Sequence, residues 1–231
     1  MGSRSDARTP GGQPRSVSRA RAGSLVGRSG SARRLPWLKP GLFVGALAPL
    51  AVMVVEASQG KLGANPVAEV ENVLGLAALV LLLASLACTP ARHLFGWTWP
   101  ARVRRQLGLF AFFYVVLHVL TYVLLDQGLD AGRIVEDIAK RPFITVGFVA
   151  LVLLTPLALT STTASIRRLG YRRWQLLHQL AYVAGALAVI HFFWRVKIDV
   201  RQPLLYAGLL AALLLVRLLF WLRGRAPRPS P

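Results

Sequence analysis

Six stretches of the chain, roughly 41–57, 72–89, 107–125, 143–160, 174–194 and 203–222, are almost continuously apolar, and the polar residues gather between them. Each approaches the ~20 residues with which a helix crosses ~30 Å of hydrocarbon. Lipid leaves unpaired backbone unsatisfied, and the runs lack the polar/apolar alternation of a membrane barrel, so the pattern predicts helices. The expected architecture is an all-α polytopic bundle of six transmembrane helices over residues 39–223, followed by a short cytoplasmic tail at 224–231. Residues 1–38 differ: they are rich in Arg, Ser, Gly and Pro and almost free of large aliphatic side chains. Such a segment buries too little apolar area to offset the entropy of ordering, which predicts a disordered basic arm. The first apolar run starts near Gly41 with no clear small-residue cleavage pattern after it, which argues against a cleavable signal peptide. Arg33-Arg34 reads as an inner-side anchor ahead of the first span.

Composition and charge sharpen this picture. Hydrophobic residues make up 55% of the 231, and the formal net charge is +19. A basic excess of that size points to nucleic acid when it forms a stripe on a soluble domain, but here the cations lie at the ends of apolar runs. With a cytoplasmic amino terminus, twenty Lys/Arg fall on inner segments and seven on outer loops. That is a positive-inside bias, and it puts both termini in the cytoplasm. Eight of the nine acids, all but Asp6, lie in or beside the outer loops. The single cysteine, Cys88, rules out an intrachain disulfide or a thiolate cluster, so any metal chemistry must use histidine.

Three of the four histidines, His118, His178 and His191, fall inside spans, where an ionisable side chain is costly and usually functional; His93 lies in a basic inner loop and reads as a solvated surface residue. Helical rise places His118 about 20 Å along the third span, towards the outer face, and His191 at the same level of the fifth. Two neutral imidazoles on neighbouring helices suit the axial positions of haem iron, in a slot expected to be lined by Phe110, Phe112, Phe113, Tyr114, Phe192, Phe193 and Trp194. His178 lies near the inner end of its span, facing Arg104 and Arg105 on the third. That level suits a second haem with a different ligand, or an anionic cofactor, or arginines that merely anchor the span at the headgroups. Thirteen residues rotate a helix about 140° out of register, so His178 and His191 do not share one face of a straight helix: either the helix bends, for which Gly185 is the candidate, or the two sites open towards different neighbours. The leading function is electron transfer. A proton-coupled transporter or channel using the intramembrane histidines is the alternative, and the scarcity of other ionisable groups in the spans counts against it. A simple docking anchor leaves the histidines unexplained.

The run Arg104-Arg105-Gln106-Leu107-Gly108-Leu109 through Tyr114 to His118, with Trp174-Gln175-Leu176-Leu177-His178 through Tyr182 to His191-Phe192-Phe193-Trp194, resembles the ferric-reductase-like transmembrane family. Thr89-Pro90 and Pro156-Leu157-Ala158-Leu159-Thr160-Ser161 fit as well, and the resemblance covers about residues 40 to 222. In particular it is to the haem-binding membrane subunits of bacterial periplasmic methionine-sulfoxide reductase systems. The resemblance implies a b-type cytochrome with one or two haems. It would be a non-catalytic subunit that takes electrons from the quinone pool or a flavin reductase and passes them to a periplasmic molybdopterin reductase subunit. It further implies that His118, His178 and His191 are haem-linked metal ligands and that Arg104 and Arg105 bind flavin mononucleotide (FMN). The wider family usually carries two histidines on each of the two helices; here the inner position on the third span is arginine.

Overall fold

The computed structural model describes residues 37–225, so the expected arm, apart from its last two residues, and positions 226–231 of the expected tail lie outside the described residues. Nine α-helices follow in order: α1 (Leu38–Ser58), α2 (Pro66–Phe95), α3 (Pro100–Thr121), α4 (Ala131–Lys140), α5 (Pro142–Leu159), α6 (Thr163–Leu169), α7 (Tyr171–His178), α8 (Leu180–Arg195) and α9 (Arg201–Arg225). There is no strand among the described residues. Six helical stretches are long and apolar enough to cross a bilayer: α1, α2, α3 with the π-turn that extends it to Asp126, α5, α7 with α8, and α9. The protein is a multi-pass membrane protein.

Local chemistry sets the helix boundaries. Proline stands at the first position of α2, α3 and α5, where its missing N–H costs nothing and its fixed φ is already helical. Asn65 caps α2 by accepting from the Ala68 N–H at 3.2 Å. At the other end of α2, Gly96 takes φ 68° and its N–H closes on the Arg92 carbonyl, a left-handed stop that suits glycine. These caps make α2 and α3 longer than their apolar runs. Glu69, Glu71 and Asn72 lie on the first turns of α2, and Arg102, Arg104 and Arg105 on the first turns of α3. The third-to-fourth connection, read from sequence as a loop, contains the amphipathic helix α4, capped by Asp130 through the Arg133 N–H at 3.1 Å.

The break in the helical hydrogen bonding of the fifth span lies elsewhere than the candidate Gly185. It falls at Gln179, where the Gln179 N–H bonds the Leu176 carbonyl and the Tyr182 N–H bonds the Gln179 carbonyl, replacing the usual four-residue spacing. Gly185 lies within continuous helix, and a Cβ there would stand 3.3 Å from the Leu86 side chain. Its absent side chain serves close helix packing.

The helices enclose a core of small and branched residues. Leu79, Leu83 and Leu86 of α2 pack with Val189 of α8 and Leu210 of α9, and Leu82, Ala111, Leu154, Leu157 and Ala184 join α2, α3, α5 and α8. Tyr114 is fully buried and donates to the Ala46 carbonyl at 2.6 Å, tying α3 to α1. Large apolar residues such as Val44, Val152 and Leu205 point outward, as they do when lipid is the solvent. Among these contacts, α3 and α8 stand on a diagonal, each packed on both α2 and α5. That diagonal leaves room between them.

Candidate functional site

The space between α3 and α8 is a cavity of about 360 Å³, walled by α2, α3, α5 and α8, within the range of about 300–1,000 Å³ typical of ligand pockets. Small residues make the room: Gly75 and Ala78 on α2, Ala111 on α3, Gly147 and Ala150 on α5, and Ala188 on α8 all line it. The rings of His118 and His191 lie in its wall, with centroids 6.2 Å apart and planes at 82°. Two metal–imidazole bonds of about 2 Å laid end to end, each continued by roughly 1 Å to a ring centroid, span about 6 Å. The observed separation therefore matches that of a pair of axial imidazoles on one metal, and the two rings come from different helices of the cavity wall.

Each ring is fixed by the same device. Nδ1 of His118 is 3.0 Å from the Glu71 carbonyl of α2, and Nδ1 of His191 is 2.7 Å from the Phe143 carbonyl of α5. A carbonyl only accepts, so each Nδ1 carries the proton, and in the neutral ring this leaves the lone pair on Nε2, the atom that then faces a metal as ligand. A helical carbonyl is open to such a donor only if nothing crowds it from the next turn. Four residues beyond Glu71 is Gly75, where a Cβ would stand 3.4 Å from the His118 ring. Four residues beyond Phe143 is Gly147, where a Cβ would stand 2.7 Å from His191 Nδ1, closer than real Cβ atoms come. The carbonyl-then-glycine spacing on α2 and α5 thus cradles the two histidines.

At one end of the cavity the polar residues collect. Glu71, Asp126, Arg141 and Arg195 line it, and Ile134 and Ile138 of α4 close over it. Asp137 pins α4 in place by accepting from Tyr122 Oη at 3.3 Å and Gln127 Nε2 at 3.1 Å, with Arg141 Nε 3.3 Å away. Oε1 of Glu71 is buried with no hydrogen-bond partner among the described residues.

The aromatic lining expected from sequence needs correction. Of the seven residues named, only Phe192 lines the cavity, joined by Tyr122, Phe143 and Phe148. Phe110 packs edge-on against Phe43 of α1 and Phe113 against Phe110 and Tyr114, while Phe193 and Trp194 are exposed on the outer surface of the bundle. Aromatic residues abound on both faces of these helices, so aromatic content alone did not reveal which face turns inward.

His178 is arranged differently. Its Nδ1 donates to the Trp174 carbonyl of its own helix at 3.0 Å, its ring packs on the Trp174 indole at 4.0 Å between centroids, and Nε2 lies 3.4 Å from Ser161 Oγ. No second histidine ring contacts it among the described residues, and no group of three metal-ligating side chains occurs among them. Arg104 is half-buried and Arg105 exposed on the first turns of α3. The Arg104 carbonyl accepts from Ser85 Oγ of α2 at 3.1 Å. His93 is exposed and stacks on Phe220 of α9, with centroids 4.6 Å apart.

The fold and the paired histidines define a class of membrane protein that comparison identifies. The chain belongs to the ferric reductase like transmembrane component family, matched by residues 73–189, from α2 into α8. Its relatives are more specific. It is 53% identical over 190 residues to the protein-methionine-sulfoxide reductase heme-binding subunit MsrQ of Deinococcus radiodurans, covering 81% of this chain and 94% of the relative. The subunit of the same name from Rhodospirillum rubrum is also 53% identical over 190 residues, covering 80% and 91%. That of Brucella anthropi is 46% identical over 211 residues, covering 91% of this chain and 95% of the relative.

Proposed function

We propose that this chain is an MsrQ-type subunit of a methionine-sulfoxide reductase system, which binds b-type haem between His118 and His191 and passes electrons across a bacterial inner membrane. The observation that carries the reading is the pair of imidazole rings 6.2 Å apart on diagonal helices, each with Nδ1 engaged by a backbone carbonyl. The relatives' name, heme-binding subunit, supports the same reading. Haem, when bound, supplies reversible one-electron chemistry. The chain's own residues do the rest. Glu71 and Phe143 hold a proton on each Nδ1, Gly75 and Gly147 make room for the rings, and α4 with its apolar underside keeps water from that end of the slot.

In this reading both termini are cytoplasmic, and the α4 end of the bundle faces the periplasm. Electrons arrive from the quinone pool or a cytoplasmic flavin reductase and leave to a periplasmic molybdopterin enzyme, MsrP. A second cofactor level lies at the arginine-rich end, where Arg104 and Arg105 hold FMN and His178 serves a second haem or the flavin. Two levels suit the task, because one electron step does not span the bilayer. Absorption spectra of the purified chain, oxidised and then dithionite-reduced, test the proposal: a Soret band that sharpens and shifts on reduction is expected. A preparation of folded protein that takes up no haem when supplied with it would overturn the reading.

A further inference from the structure

We propose that Arg195 anchors a carboxylate of the bound porphyrin, one of the haem propionates, at the α4 end of the cavity. The inference rests on the haem reading above and adds to it the orientation of the ring. Arg195 follows His191 by four residues, about one helical turn and 6 Å of rise, so its side chain leaves α8 on the same face. It lines the same cavity as both histidines. The cavity's other arginine, Arg141, is already matched, with Nε 3.3 Å from Asp137. The guanidinium of Arg195 takes part in none of the ion pairs or side-chain hydrogen bonds found among the described residues.

A half-buried guanidinium beside an apolar slot is stabilised by an anion that reaches it, and its planar fork matches a carboxylate with two parallel hydrogen bonds. Two acids share the wall, Glu71 and Asp126, and neither lies within ion-pair distance of Arg195 in this structure. Glu71 is the competing partner, because its Oε1 is buried and unmatched. With a propionate on Arg195, the polar edge of the porphyrin lies towards α4 and its apolar edge towards Ala111 and Leu154, deep in the bundle.

The experiment uses the full chain assembled in lipid nanodiscs with either iron protoporphyrin IX or its dimethyl ester, whose propionates carry no charge. The readout is the rate at which each porphyrin is lost to excess apomyoglobin. The wild-type chain is expected to release the ester at least about ten-fold faster than the acid, the scale of one charge-assisted hydrogen bond. Arg195→Gln should release both at the ester's rate and leave the ester's own rate unchanged, which also shows that the variant folds. If Arg195→Gln keeps the wild-type ratio of acid to ester, the proposal is overturned. If Arg195 only neutralises Glu71, the double variant Arg195→Gln, Glu71→Gln will regain slow release of the acid, and that result also overturns it. A wild-type chain that retains neither porphyrin sinks the haem reading and this inference together.

Discussion

His191 and His178 belong to one membrane span, yet the two ends of that span treat them in opposite ways. At the α4 end, His191 reaches away from its helix to a carbonyl of α5 and meets His118 across a cavity. At the arginine-rich end, His178 folds back on the Trp174 carbonyl and indole of its own helix. The difference lies in the neighbouring helices. Gly75 and Gly147 open a slot around one pair of rings, whereas Ser161 and Trp174 close around the other. A histidine in a membrane span is thus made into a candidate ligand by what its neighbours leave out as much as by its own position.

The arginine-rich end instead carries a structural cation. Pro90 has no N–H, so the Leu86 carbonyl four residues earlier lacks its helical donor. Arg217 of α9 fills that place, with Nη2 donating to the Leu86 carbonyl at 3.0 Å, Nη1 to the Tyr182 hydroxyl, and its guanidinium 4.7 Å from the centre of the Tyr182 ring. One arginine thereby fastens α2, α8 and α9 where lipid offers no replacement donor.

The contrast breaks most sharply under histidine substitution. His118→Ala and His191→Ala should each reduce haem content at the α4 end more than ten-fold, on the order of the loss of a metal ligand rather than of its outer partner; a pyridine haemochrome assay per mole of chain, made in a His178→Ala background so that only the α4-end site is counted, checks this. His178→Ala should leave the α4-end haem in place, and an equal loss from all three variants would erase the distinction between the ends. Gly147→Ala comes next. Its new methyl meets His191 Nδ1 at 2.7 Å, so the ring must leave the Phe143 carbonyl, and haem content should fall several-fold. Gly75→Ala makes only ordinary contact with His118 at 3.4 Å and should be much milder. Arg217→Met leaves the Leu86 carbonyl without its donor, and about 1–3 kcal/mol of destabilisation is expected. A lower thermal unfolding midpoint with an unshifted Soret band would confirm it. The smallest effect belongs to Arg104→Ala with Arg105→Ala, which should lower flavin occupancy, measured by fluorescence of released FMN, and leave the α4-end haem content unchanged.

Much of this was legible in the sequence. Six apolar runs near helical length identify the spans because the bilayer fixes the length required. The equal height of His118 and His191 follows from counting rise along two helices that run the same way. What a count of residues along one helix does not carry is which neighbour it faces. Sequence therefore places the aromatic residues in the slot, whereas most of them pack against α1 or face outward from the bundle. The glycines in Glu71-Asn72-Val73-Leu74-Gly75 and Phe143-Ile144-Thr145-Val146-Gly147 were visible as isolated glycines in helical runs, a known mark of close approach. Their meaning emerged only once the two histidine rings were seen against them. Helix α4 was hidden because ten residues of mixed polarity do not register as a span, although their apolar face is what covers the cavity.

The most direct test of the central claim is the electron paramagnetic resonance spectrum of the oxidised full chain, compared with that of His118→Ala. Two axial imidazoles predict a low-spin ferric signal in the wild type, converted to high-spin or lost altogether in the variant. A low-spin signal of full intensity that survives the loss of His118 would contradict the account.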